Sequence, residues 1–500
     1  MGKYLIPVLL FITLAYVAWS AREDPASGII YIPVDERPLN LAYVEEVAEV
    51  AGIELHVPPR RLLPDYKTPA DVEALWSWAL DQKGTAAVLS ADTLIYGGLI
   101  PSRRHQISQD ELVKRAERFR QYREAHPDQK LYVFVTLMRT PNSDSAASEP
   151  DYYARYGKRL FRLSALEDKE STVGLTPAER EDLARLRRLI PADVYSDWVG
   201  RREKNLAVTR KLVEMVREGV IDLLILCRDD TATFSRSRQE YRQLSEAGRD
   251  LPSDKFISFP GTDEVGLLLV ARAALEGAGK NIYVTYAPGA GPATVARYED
   301  VPVGQNISAH IKALGCREVT DLAVADLALV VNTPRNGITG EAAYQDGRGD
   351  PDTTAALTAE IQEILAKGIP VALADVAYAN GADVGLLESL RKEGLLFKLT
   401  SYAGMNTAGN AIGYALAQGL LLPGKEGAER VLLTRYLDDW GYQAGVRQAV
   451  RPLNLKGEAL RERITADLTN FARRLKVGPV SLSVDIFWDQ TFNIGLKVEP

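Results

Sequence analysis

The sequence predicts an α/β protein built from two doubly wound, mainly parallel-sheet domains. Three observations predict it. Short apolar, β-branched runs alternate with amphipathic helical segments along most of the chain, the rhythm of βαβ units. Polar residues gather directly after the apolar runs, where such sheets place their ligand-binding loops. The 500 residues exceed the ordinary single-domain size, and roughly ten strand candidates are too many for one small sheet. The expected division is a first α/β domain over 28–265 and a second over 266–500. An elaborated α/β barrel is the alternative.

The elements follow in order. "GIIYIPV" (28–34) reads as the first strand, followed by a helix from Leu41 to Ala51 and a strand "IELHV" (53–57). "TPADVEALWSWAL" reads as a helix capped by Thr68, with Pro69 in its first turn. "AAVLS" and "LYVFVTL" are strands flanking the helix "SQDELVKRAERFRQYREA". Residues 150–220 break the rhythm and read as a charged helical insertion, with a capping box at Thr176 and Glu179. Strands resume with "VIDLLILC" (220–227), "KFISF" (255–259), "NIYVTYA" (281–287), "LALVVN" (327–332), "IPVALAD" (369–375) and "LLFKLTSY" (395–402). "GDPDTTAAL" reads as a helix start capped by Asp352 or Thr353. The tail "PVSLSVDIFWDQTFNIGLKV" alternates at period two and reads as a C-terminal antiparallel β ribbon.

Composition narrows the function. A net charge of −7 gives no electrostatic footprint for nucleic acid. Cys227 and Cys316 make no disulfide framework, and four histidines without paired spacing argue against a zinc hydrolase. Cys227, inside an apolar run, is expected in the core. Lys3 precedes an apolar run from Tyr4 to Ala18, then "REDPASG". Residues 1–21 therefore read as a signal peptide or N-terminal anchor, and the protein as exported, touching membrane only through that segment. The glycine-rich "APGAGPAT" lacks a phosphate-loop lysine and the dinucleotide spacing, and no G-x-S-x-G elbow occurs.

The strand ends carry the chemistry. Asp35, Arg37 and Asn40 follow the first strand, and "LSADTLIYGGLIPSRRH" places Asp92, Tyr96, Arg103 and His105 after the third. Arg139, then Glu149, Asp151 and Tyr152, come next. Further on stand Asp229 with Asp230, Asp263 with Glu264, Asn332 with Arg335, Asp375 with Asn380, and Tyr402, Asn406 and Asn410. In a doubly wound sheet or a barrel these groups converge at the carboxyl ends of the strands. A lone strand-end acid is often only a helix cap, worth about 1 kcal/mol. The joint pattern holds more functional groups than capping requires.

Six motifs, "YIPVDERPLN", "LSADTLIYGGLIPSRRH", "SEPDYYARYGKRLF", "PGTDE", "ANGAD" and "YAGMNTAGNAIG", occur in this order. Together they resemble the bacterial family DUF4127, a domain of unknown function, across nearly the whole chain beyond its N-terminal segment. The resemblance implies a shared fold and a shared site, and brings no activity with it. Met405 departs from it, standing where the resemblance leads one to expect a tryptophan before "NTAGN". If that tryptophan packs on a ligand, the departure implies altered specificity.

A site rich in carboxylates, amides, arginine and tyrosine has the character of a carbohydrate site. The first expectation is a cofactor-free enzyme cleaving a glycosidic bond of an oligosaccharide. Asp92 and one of Asp230, Asp263 or Glu264 would serve as acid and base or nucleophile. Asp35, Arg37, Tyr96, Arg103, His105, Arg139, Glu149, Tyr152, Asp375, Asn380, Tyr402, Asn406 and Asn410 would bind the substrate. The second expectation is a hydrolase holding Mg²⁺, Mn²⁺ or Ca²⁺ through Asp35, Asp92, Asp229, Asp230 and Asp263. The third is a non-enzymatic binder of sugars or cell-wall glycans.

Overall fold

The structure, a computed structural model, describes residues 27–276 and 278–499. The leader expected at 1–21 lies outside the described residues. Among the described residues, no helix is long and apolar enough to cross a membrane.

The first sheet has six parallel strands: β1 (Ile29–Ile32), β2 (Leu55–His56), β3 (Ala86–Ser90), β4 (Lys130–Leu137), β5 (Leu223–Arg228) and β6 (Phe256–Pro260). Their order is β2-β1-β3-β4-β5-β6. β1, β3 and β5 are buried along their whole length, as a strand covered by helices on both faces requires, and their continuous apolar runs follow from it. The next strands are β7 (Asn281–Tyr286), β8 (Arg317–Val319), β9 (Leu327–Asn332), β10 (Gly340–Glu341), β11 (Val371–Asp375), β12 (Tyr378–Ala379) and β13 (Ser401–Ala403). Five of them form a second parallel sheet, β13-β11-β9-β7-β8, while β10 and β12 pair separately. Counted from its own first strand, the second sheet winds in the same order as the first. Each sheet therefore has a switch point, at β1/β3 and at β7/β9, where a crevice opens outside the strand ends.

Several local expectations are corrected. The strand expected at 395–402 shrinks to β13, behind a 3-10 turn at Leu396–Lys398. The helix expected from Thr68 starts at Val72, and Asp71 caps it by accepting from the Ala74 amide at 3.1 Å. Asp350, rather than Asp352 or Thr353, caps the helix Pro351–Ala366. The Thr176–Glu179 capping box is present. It opens the middle one of three insertion helices, Tyr153–Thr172, Pro177–Leu189 and Ala192–Arg217, which close on Leu160, Leu163, Leu183, Leu186 and Trp198. The tail forms the antiparallel pair β14 (Ser481–Ile486) and β15 (Ile494–Glu499).

Two apolar helices join the sheets. Val265–Ala274 packs on β1, β3 and β4; Ala408–Leu421 packs on β11 and β13; and the two helices pack on each other. One continuous apolar core results. A buried polar clamp crosses it. The Glu264 carboxylate meets His310 Nε2 at 3.1 Å and accepts from Asn410 Nδ2 at 2.5 Å. Glu299 accepts from the Gly409 amide at 2.6 Å and from Asn306 Nδ2 at 2.9 Å, and burial pushes its carboxyl up to about 8. Small residues make this approach possible: a Cβ at Gly409 would lie 2.1 Å from the Pro260 carbonyl oxygen. Gly409→Ala is expected to cost about 1–3 kcal/mol by overpacking. Urea unfolding checks it, and an unchanged midpoint would remove this contact as a constraint.

Candidate active site

A cleft of about 380 Å³ opens beyond the carboxyl ends of the first sheet, and loops of the second sheet and the β14–β15 turn supply its other walls. Its size lies at the low end of the range for small-ligand sites, about 300–1,000 Å³. Three arginines organise it. Arg37, just after β1, forks Asp35 (Nη2 to Oδ2, 2.7 Å) and Asp263 (Nη2 to Oδ1, 2.6 Å), the latter just after β6. Asn40 Nδ2 bridges the same two carboxylates at 2.9 and 3.1 Å, and Asn406 donates to Asp263 Oδ2 at 3.1 Å. Arg103 holds Asp229 at 2.6 Å and Glu149 at 3.4 Å. Arg139 holds Glu149 and Asp230, each at 2.6 Å.

The acids are not equivalent. Burial would raise Asp229, but Arg103 and Arg139 outweigh it and hold the carboxyl below the usual range. Burial and the adjoining Asp229 charge push Asp230 up to about 6. Burial also raises Asp263, against the pull of Arg37. Both Asp229 and Asp230 keep about a fifth to a quarter of their side-chain surface open, at 21% and 26%, so they are the acids a ligand can reach.

Backbone strain concentrates here. Nine non-glycine residues among those described have left-handed φ, and Asp230, Tyr298, Asn380, Asn406 and Trp488 are five of them. All five line the cleft. Such conformations cost about 1–3 kcal/mol each and gather where function requires a fixed geometry.

The structure brings together part of the expected constellation. Arg37, Arg103, Arg139, Asp230, Asp263, Asn380 and Asn406 line the cleft, with Asp35 and Glu149 directly behind the arginines. The others lie elsewhere, each for a packing reason. Asp92 is fully buried, accepts from the Thr136 amide at 2.7 Å, and is pushed by burial up to about 7. Tyr96 stacks on His105, whose Nε2 meets Asn205 at 2.8 Å. Tyr152 lines a separate hollow beside the insertion helices, with Arg201. Glu264 and Asn410 belong to the clamp between the sheets. Asp375 and Tyr402 close the end of the second sheet: Tyr402 donates to Asp375 at 3.1 Å, and Asn332 bridges Asp375 and Asp383. Met405 is buried and takes a contact from Arg435 Nη1 at 3.4 Å.

Residues of the β14–β15 turn were not expected. Trp488, Gln490, Phe492 and Asn493 roof the cleft. Trp488 stacks on Tyr66, centroid to centroid 4.9 Å, and lies 4.8 Å from the Arg37 guanidinium carbon. The signal was present in "FWDQTFN", where polar and aromatic residues interrupt the period-two pattern. Among the described residues, no three His, Cys, Asp or Glu side chains are grouped to hold a metal ion. Four of the five acids considered as ligands are instead divided among Arg37, Arg103 and Arg139, and Asp92 is held by Thr136.

Arg37→Met is expected to cost about 3–5 kcal/mol, because it strands the buried Asp35 and Asp263 charges. Adding Asp263→Asn should return part of that loss. A single variant as stable as the parent in urea would show that the pairing does not hold the fold.

Comparison with known proteins gives one match. No curated protein and no solved structure matches the chain. The model of a family described as a protein of unknown function, DUF4127, matches residues 29–492, and the chain belongs to that family.

Proposed function

We propose that this protein is an exported carbohydrate-active hydrolase that cleaves a glycosidic bond with Asp229 and Asp230. The observation that carries the reading is this adjacent, ligand-accessible pair with its proton affinities driven apart. Environments that split two carboxyls in this way assign an acid and a base. Arg139 Nη1 lies 2.6 Å from Asp230 Oδ2 and 3.9 Å from Asp229 Oδ2. The two oxygens are therefore separated by no more than the sum of those distances. That bound favours the retaining spacing, about 5–5.5 Å, over the wider inverting one. Asp230 holds a proton and gives it to the leaving oxygen, while ionised Asp229 attacks the anomeric carbon. Asp230 then takes a proton from water, which releases the sugar from Asp229. Asn380, Asn406 and Asn493 offer amides to sugar hydroxyls. Asp92, sealed away from the cleft, is left out of the pair.

Product analysis of the full chain incubated with an oligosaccharide panel tests the reading. Asp229→Asn and Asp230→Asn should each lower turnover by about 10²–10⁴-fold, in protein that circular dichroism shows to be folded at the assay temperature. Turnover should fall as pH rises through about 6, where Asp230 loses its proton. It should also fall at acid pH, below the ordinary carboxylate range, where Asp229 gains one. Chelator should leave it unchanged. Saccharide binding without product after long incubation would instead favour a non-enzymatic binder, and loss with chelator would favour carboxylate-bound metal.

A further inference from the structure

Eight large apolar side chains are exposed among the described residues, and four of them, Val295, Tyr298, Ile338 and Tyr344, fall on two loop segments that follow β7 and β9 of the second sheet. The loops around them are tied together. The Ala290 amide donates to the Arg335 carbonyl at 3.1 Å, and Tyr298 OH donates to Glu341 Oε1 at 2.5 Å. Glu341 also accepts from the cleft residue Asn380 at 2.9 Å and pairs with Arg297 at 3.2 Å. Tyr298 links these loops to the cleft. Tyr298 is itself a cleft wall, and its carbonyl accepts from the amide of Thr231, next to Asp230, at 2.8 Å.

Tyr298 is held as a platform. Its backbone sits at φ +70°, its hydroxyl is fixed, and the Arg297 guanidinium carbon lies 5.5 Å from its ring centroid. It remains 37% exposed, and Tyr344, three residues beyond Glu341, is 86% exposed. Exposed aromatic faces beside a polar cleft suit the apolar side of a sugar ring. The cleft volume accommodates only a short ligand.

Building on the glycan reading above, we propose that Tyr298 and Tyr344 form an extension subsite. A saccharide chain longer than the cleft leaves the Asp229–Asp230 pair over Tyr298 and runs along the loop toward Tyr344.

Binding, measured without turnover in the full-length Asp230→Asn protein, tests this. The probes are cellobiose, cellohexaose, chitobiose and chitohexaose, followed by isothermal titration. At least one hexamer should bind more tightly than its dimer by about threefold to tenfold per ring engaged. Tyr298→Ala and Tyr344→Ala should each move the hexamer-to-dimer affinity ratio toward one. Tyr298→Phe, which keeps the ring, should preserve it. Equal affinity for hexamer and dimer, or a ratio untouched by Tyr344→Ala, overturns the subsite alone. Failure of all four saccharides to bind overturns the glycan reading and the subsite with it.

Discussion

The site depends on the Arg37 guanidinium. One side chain joins the segment after β1 to the segment after β6, through Asp35 and Asp263, and lies against the roof residue Trp488. Taking such charges out of water costs several kcal/mol per ion. The cost is offset only because the partner oxygens are filled: Asn40 and Asn406 supply the donors that Arg37 cannot. Asn406 comes from the loop after β13, so the second sheet helps to satisfy a carboxylate of the first. The ion network and the apolar interlayer thus fix the same relative placement of the two sheets.

The same logic separates Asp229 and Asp230. They are consecutive, yet Arg103 serves one and Arg139 mainly the other, while Glu149 ties the two arginines together. Burial first, and then repulsion from Asp229, raises the Asp230 carboxyl above the usual range, while the two arginines hold Asp229 below it. Asp230 itself sits in left-handed backbone, at φ +42°.

The sheets were legible because strands buried on both faces must be apolar throughout. "AAVLS", "LYVFVTL" and "LALVVN" carry that requirement openly. The short edge strands β8, β10 and β12 do not, since two or three residues set no period. Strand-end polarity marked Arg37, Arg103, Arg139, Asp230 and Asp263, which the fold brings to one cleft. It could not rank them by depth. Asp92 and Asp230 each follow a buried strand, but a backbone amide claims the first and leaves the second at the cleft. Glu264 and Asn410 looked like site residues for a different reason: a polar clamp between two helices uses the same amide and carboxylate chemistry as a sugar site. The roof was missed because its residues interrupt a ribbon rather than follow a parallel strand.

That roof has a consequence for biosynthesis. Chains emerge from the ribosome N-terminus first, at roughly 5–20 residues per second, and domains fold as they appear. The first sheet and its arginine–carboxylate network are complete in sequence once residue 263 has been made. Trp488 and its neighbours follow more than two hundred positions later. A nascent chain therefore carries an open, strongly charged floor long before it carries a cover. The assembled cleft is a late product of synthesis, and proteolytic removal of the β14–β15 ribbon would return the floor to that earlier, uncovered state.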